Sequence, residues 1–262
     1  MLAPMRAFVL PLIALAACKG PASGGAPTAA SAAPLSVPAP TTSTPAASLS
    51  GSASAAPSAA PRRTTAAATT YGFEEDTVGA APAGFTAART GGGRVGTWVV
   101  RAEPGAPGGA NVVAQTDADP TDARYPLLYA DAPVVADVSM SVRCKPISGK
   151  VDQACGLVCR LKDANNYYLT RANALENNVR LYVVLGGNRR QLASYDGPVK
   201  SGQWHTFSLV CHGNSLTVTW DGEKVLTQQD TTFHDAGKVG LWTKADSVTA
   251  FDDLVIRPIA QP

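Results

Sequence analysis

A strict two-residue alternation runs through the C-terminal half of this chain. Ala136, Val138, Met140, Val142 and Cys144 are separated by Asp137, Ser139, Ser141 and Arg143. Successive side chains of a strand point to opposite faces, so this pattern predicts a strand buried on one side. His205, Phe207, Leu209 and Cys211 repeat it, as do Leu216, Val218 and Trp220 against Ser215, Thr217 and Thr219. His212-Gly213-Asn214 between the last two reads as a tight hairpin turn, and Asp221-Gly222 as the next. Further strands are expected at 156–161, 167–172, 178–185, 239–243 and 248–256. No long stripe of helical period competes with them. Many short strands joined by Gly, Asn and Asp turns predict an all-β sandwich or barrel.

The alternation has a clear lower boundary. From Lys19 to Thr70 the chain is almost wholly Ala, Pro, Ser, Thr and Gly, without an aromatic residue. Such a segment buries too little apolar surface to offset the entropy of ordering it, so 18–70 is expected to be a disordered tether. Its r.m.s. span is about 40 Å as flexible chain and roughly 150 Å as extended polyproline II. The folded domain is placed at 71–258, with 259–262 as a tail. Four of the 22 basic residues (Arg6, Lys19, Arg62, Arg63) precede the domain, whereas all 20 acidic residues lie from Glu74 onward. The domain is therefore mildly acidic, and the basic footprint of a nucleic-acid partner is absent from it.

Residues 1–17 read as a signal peptide. Arg6 supplies the positive start, and Ala7–Ala17 is an uncharged apolar run of about 11 residues, half of what a membrane span needs. The run ends on Leu15-Ala16-Ala17-Cys18, which resembles the box read by lipoprotein signal peptidase. The resemblance implies that Cys18 becomes a lipidated N-terminus and that the membrane is a partner. An ordinary secretory signal that ends on a cysteine is the other reading, and the Pro-rich tether that follows argues against it. Lys19 stands where an inner-membrane retention signal would place Asp, so outer membrane or cell surface is the expected location.

An ordered set of motifs carries a second resemblance. Asp163-Ala164-Asn165-Asn166-Tyr167-Tyr168, Trp204-His205-Thr206, Asp221-Gly222-Glu223-Lys224, Gly240-Leu241-Trp242-Thr243-Lys244 and Asp246 through Leu254 follow one another in the chain. Tyr71-Gly72-Phe73-Glu74-Glu75-Asp76, Gly79 and Gly84-Phe85 fit the same pattern's first strand. Together they resemble the concanavalin A-like, laminin-G-like jelly rolls of the bacterial 3-keto-disaccharide hydrolase domain group. That likeness implies two antiparallel sheets, one of them concave, with the first and last strands side by side and sugars received on the concave face. The fold hosts lectins, glucanases and adhesion modules, so activity must be argued from the site.

The residues narrow the chemistry. Family-16-type glucanases of this fold carry Glu-x-Asp-x-x-Glu or Glu-x-Asp-x-Glu on one strand, and neither occurs among the domain's five Glu (74, 75, 103, 176 and 223). No GxSxG, CxxC or zinc spacing of His205, His212 and His234 is present. The densest polar run is 160–180. Arg160, Asn166, Tyr167, Tyr168, Arg171, Asn173 and Arg180 are the candidate ligand-binding set, because planar polar groups and rings suit a sugar or carboxylate. Should the domain act on a 3-keto sugar, Glu176 is the candidate base, with Arg160 or Arg171 stabilising the oxyanion. The bland reading of the same run has Asn165-Asn166 and Glu176-Asn177-Asn178 as turns beside a solvated sheet. Trp204 and Trp242 are read as packing rings rather than sugar platforms. Glu74, Asp76, Asp252 and Asp253 would approach one another if the terminal strands pair, and carboxylate oxygens suit a structural Ca²⁺.

Cys144, Cys155, Cys159 and Cys211 form an even set in an oxidising compartment, so disulfides are expected. Cys155 and Cys159 lie about 13 Å apart along a strand, too far to bridge. Two pairings stay open: Cys144–Cys155 closing a hairpin loop with Cys159–Cys211 joining core strands, or Cys144–Cys211 alone. The sequence thus predicts a tethered carbohydrate- or envelope-binding module, with a 3-keto-glycoside hydrolase and a protein-contacting adhesion module as alternatives. Replacing Cys18 with Ala is expected to move the protein from the membrane to the soluble fraction; retention in the membrane fraction would rule out a lipid anchor at Cys18.

Overall fold

The computed structural model describes residues 67–260. The signal peptide, Cys18 and the tether up to residue 66 lie outside the described residues, as do the last two residues. Fifteen strands follow in order: β1 Thr69–Tyr71, β2 Phe85–Gly91, β3 Trp98–Ala102, β4 Asn111–Gln115, β5 Arg124–Ala130, β6 Val138–Ser148, β7 Ala154–Asp163, β8 Asn166–Asn173, β9 Asn178–Leu185, β10 Asn188–Asp196, β11 His205–His212, β12 Ser215–Trp220, β13 Glu223–Gln229, β14 Lys238–Trp242 and β15 Val248–Pro258.

They form two antiparallel sheets. The first is ordered β13-β12-β11-β6-β15-β4-β3, with β1 added on β15; the second is ordered β10-β9-β8-β7-β14-β5-β2. The first and last strands are neighbours, Thr69 opposite Ile256 and Tyr71 opposite Leu254. The fold is a jelly-roll sandwich of the kind the motifs implied. β1 starts two residues before the boundary drawn from composition, because Thr69 and Thr70 pair with β15 despite their tether-like side chains.

The alternating residues fill the space between the sheets. Val138, Met140, Val142 and Cys144 of β6 meet Phe207, Leu209 and Cys211 of β11, and Leu216, Val218 and Trp220 of β12 complete that wall. Opposite them lie Cys155, Leu157 and Cys159 of β7, Tyr168 of β8 and Leu181 and Val183 of β9. His205 closes one end, buried and stacked on Trp220 with ring centroids 4.6 Å apart.

Both disulfides cross this core. Cys144 is bonded to Cys155 and Cys159 to Cys211, each joining β7 of the second sheet to a strand of the first. The hairpin expected between Cys144 and Cys155 is not formed. β6 and β7 do not pair; they belong to opposing sheets, so 149–153 is a crossover.

Arg160 departs from the expected binding role for a related reason. A register shift in β7 after Cys159 puts Arg160 at φ 50°. Its guanidinium is buried and donates to the carbonyls of Ala136 (2.8 Å), Phe233 (2.6 Å) and Gly213 (2.6 Å), and to Asp137 at 3.1 Å. It ties three connections together, and its burial turns it away from any ligand.

In the chain-entropy picture the Cys159–Cys211 bond, with a separation of 52 residues, contributes about 4 kcal/mol and the Cys144–Cys155 bond, with 11, about 3 kcal/mol. Chemical denaturation of Cys-to-Ser pair variants is expected to show that order of loss. Peptide mapping before and after reduction checks the pairing; a Cys144–Cys211 peptide would contradict it.

Candidate functional site on the curved sheet

The second sheet is curled, and side-chain contacts across it show by how much. Thr90 of β2 shares a 2.7 Å hydrogen bond with the Tyr167 hydroxyl of β8 and also donates to the Ala164 carbonyl. Those strands are four steps apart, about 19 Å in a flat sheet. The Arg189 guanidinium of β10 lies 4.2 Å from the ring centroid of Tyr125 on β5, five steps away. The face turned away from the core is therefore a trough.

Its floor is apolar. Leu127, Val158, Leu169, Val184 and Trp242 form a cluster separate from the inter-sheet core. Trp242 fits because Gly156 of β7 stands directly opposite it; a Cβ there would come within 2.9 Å of the Thr170 carbonyl and 3.1 Å of the indole. Tyr125 stacks on Trp242 at 5.7 Å and an interplanar angle of 13°. Arg189 lies over this pair and over Tyr182, with its guanidinium carbon 5.3 Å from the Tyr182 centroid. Trp242 is a fully buried packing ring, as expected.

The sheet register sets the polar row beside the floor. Trp242, Gly156, Arg171, Arg180 and Ser194 stand in line across β14, β7, β8, β9 and β10. Arg171, itself buried, donates to Glu176 at 2.8 Å, to Asn178 at 2.7 Å and to the Tyr182 hydroxyl at 3.5 Å. Arg180 pairs with the same Glu176 oxygen at 3.3 Å. Asn173 accepts from the amides of Leu175 and Glu176, which folds the β8–β9 turn so that the carboxylate returns over the face. Its amide nitrogen donates to the buried Asp152 at 3.0 Å, and Asp152 pairs with Lys244 at 3.1 Å.

Two carboxyl groups on this row are shifted in opposite directions. Burial raises the pKa of Asp152 against the opposing effects of Lys244 and Arg171. Burial works the same way on Glu176, but hydrogen bonds from Arg171 and Asn178 and the charges of Arg171 and Arg180 outweigh it, so Glu176 is held below the usual range. The Tyr167 hydroxyl is pushed up to about 12 by burial. It stays neutral in its bond to Thr90.

The structure thus brings Tyr167, Arg171, Asn173, Glu176 and Arg180 to one face. Tyr168 points into the inter-sheet core, where its hydroxyl bonds Asp230 at 2.7 Å. Asn166 is a turn residue, donating to Asp163 and accepting from the Gly186 amide at 3.0 Å. Tyr125, Asp152, Tyr182 and Arg189 belong to the face and were not expected. The parity of Arg180 and Tyr182 on one strand was a usable signal for the third of these; nothing local marked the others.

Of the expected metal ligands, Glu74, Asp252 and Asp253 gather around the Gly108–Gly109 loop, where a Cβ would fall 2.3 Å from Asp253 and Glu74 oxygens respectively, whereas Asp76 is turned to the Ala83 amide. Their carboxylates are engaged by amides, however. Glu74 accepts from Ala110 and Asn111, Asp252 from Gly108 and Asp253, and Asp76 from Ala83. Among the described residues no group of three or more His, Cys, Asp or Glu could hold a metal ion.

Because the folded pKa of Glu176 is depressed, its contribution to stability is present above about pH 4.3, the unfolded value, and is lost as pH falls through the folded one. Urea unfolding between pH 3 and 7 is expected to show this loss in the native protein. Glu176→Gln is expected to flatten it.

Three solved structures resemble the domain in fold. They are the carbohydrate binding module CBM66 from Bacillus subtilis (TM-score 0.53, 19% identity, 66% of this chain and 95% of that chain), the VIP36 exoplasmic/lumenal domain in its Ca²⁺/Man-bound form (0.54, 10%, 74% and 91%) and lectin II from Ulex europaeus (0.53, 8%, 74% and 98%). At these identities the likeness is one of fold. No curated protein matches the chain in sequence. A family model described as the 3-keto-alpha-glucoside-1,2-lyase-like domain matches residues 116–257, more than half of the 262 residues. The chain belongs to the 3-keto-alpha-glucoside-1,2-lyase-like domain family.

Proposed function

We propose that this protein is a carbohydrate-recognition module of the cell envelope, anchored to a membrane through lipidated Cys18 and receiving sugar in the trough of the second sheet. The observation that carries this reading is the juxtaposition of a ring cluster, Tyr125, Tyr182 and Trp242, with the planar polar row of Arg171, Glu176 and Arg180 on one concave surface. Tyr125, the one ring of the three that is partly exposed, offers apolar surface to a pyranose, while the accessible Glu176 carboxylate and Arg180 guanidinium read its hydroxyls. Two of the similar structures are named a carbohydrate binding module and a lectin, which supports the reading. The tether expected before residue 71 would let such a module reach glycans away from the bilayer.

A second reading, catalysis on 3-keto-glycosides, is favoured by the split pair of carboxyls flanking Arg171. Groups pushed apart in pKa are what acid–base chemistry uses. Glu176, held ionised, would take the proton acidified by the neighbouring ketone, and Arg171 would face the resulting enolate. The family description supports this alternative.

Purified full-length protein tested on a glycan panel, on ordinary disaccharides and on 3-keto-trehalose separates the two. Binding without turnover is the expected result, with Tyr125→Ala weakening it about tenfold. Turnover abolished by Glu176→Gln would favour the enzyme. Turnover that survives Glu176→Gln would remove Glu176 from the chemistry, and neither binding nor turnover would favour a protein-contact module.

A further inference from the structure

Resting on the reading that sugar lies in the trough, we infer that the ligand is acidic, a glycan whose uronic-acid carboxylate is taken by Arg189. Arg189 sits near the start of β10, opposite Val184, and reaches across the trough to Tyr125. Its planar face is used: Tyr125, Tyr182 and Trp242 lie 4.2, 5.3 and 5.9 Å from the guanidinium carbon. Its edge is not used. Among the described residues the Arg189 guanidinium makes no hydrogen bond, and no carboxylate lies within 4.0 Å of it. Five N–H donors in a fixed fork are left pointing along the plane of the stack, in a side chain that is only partly exposed.

Four other arginines of this sheet have their acceptors, whereas Arg89 of β2, whose buried Nε has no partner, does not. Arg171 is committed to Asn178 and Glu176, and Arg160 to four acceptors in the interior. Arg190, the next residue, pairs with Asp230 at 3.0 Å. Arg180 shares Glu176 with Arg171. Tyr182 links three guanidinium groups, since its ring faces Arg189, its hydroxyl accepts from Arg171, and its strand neighbour Arg180 also interacts with it. The acid closest to that trio in hydrogen bonding, Glu176, is spent on two of the three. No carboxylate among the described residues serves the third.

A stacked guanidinium is weakly hydrated and held flat, so little entropy is lost when a carboxylate docks on two parallel N–H groups. A neutral hydroxyl offers one acceptor and no charge, and it leaves the cation uncompensated. A pyranose bearing its carboxylate on ring carbon five satisfies both parts of the site, with the carboxylate on the Arg189 edge and the ring toward Tyr125.

The test is titration calorimetry on the full-length protein with oligomers of galacturonate, glucuronate and mannuronate, each beside its carboxyl-reduced counterpart. At least one acidic oligomer is expected to bind ten- to a hundredfold more tightly than its reduced form, the range for hydrogen bonds to a charged group. Arg189→Gln is expected to erase the preference. Arg189→Lys, which keeps the charge and loses the fork, is expected to restore part of it, and Arg190→Gln to leave it unchanged. Melting temperatures of the variants, read alongside, distinguish lost recognition from lost fold. Equal binding of acidic and reduced forms, or a preference that survives Arg189→Gln, would overturn the inference and leave carbohydrate recognition standing. Failure of every uronate and every neutral glycan to bind would overturn both.

Discussion

β7 serves both halves of the molecule at once, and the remaining architecture depends on it. Its inward residues Cys155 and Cys159 are covalently bonded to β6 and β11 of the opposite sheet. Its outward Gly156 leaves the space in which the Trp242 ring lies. Because successive residues of a strand alternate between faces, stapling the core and seating the trough floor become one constraint. A side chain at 156 would displace Trp242, and with it the ring on which Tyr125 stacks and over which Arg189 lies.

The curl of the second sheet follows from what meets across it. Thr90 bonding to Tyr167, and Arg189 covering Tyr125, join strands that a flat sheet would hold far apart. The trough is thereby closed at its corners by polar and cation–π contacts, and the polar row of Arg171, Glu176 and Arg180 is left beside the covered rings. Within that row Arg171 and Arg180 share the one Glu176 carboxylate, and Arg189, opposite Val184, has no carboxylate partner among the described residues.

Much of this was legible in the sequence, within the limits of local pattern. The alternations at 136–144, 205–211 and 215–220 are strands β6, β11 and β12 because one face of each meets the core, which is the situation that writes period two into a sequence. Strands β2 to β5 and β10 escaped. β10 reads Asn-Arg-Arg-Gln-Leu-Ala-Ser-Tyr-Asp and is interrupted by an irregularity between Gln191 and Ala193, so its parity is broken. Arg171, Asn173 and Glu176 were legible as part of the dense polar run 160–180; that they share a face follows from strand parity and from the β8–β9 turn that brings Glu176 back. Arg160 was misassigned because a register shift and a positive φ turn it inward, which spacing does not reveal. Tyr125 and Arg189 are 64 positions apart in a chain of 262, and only the curl of the sheet unites them.

On this proposal the trough of the second sheet, and no other surface, meets the sugar. Hydrogen–deuterium exchange of the full-length protein with and without a bound oligosaccharide measures this directly. Slowed exchange confined to β10, the β8–β9 turn around Glu176 and the start of β5 at Tyr125 is the predicted result. Protection centred on β11 to β13 of the first sheet, with the trough unchanged, would contradict it.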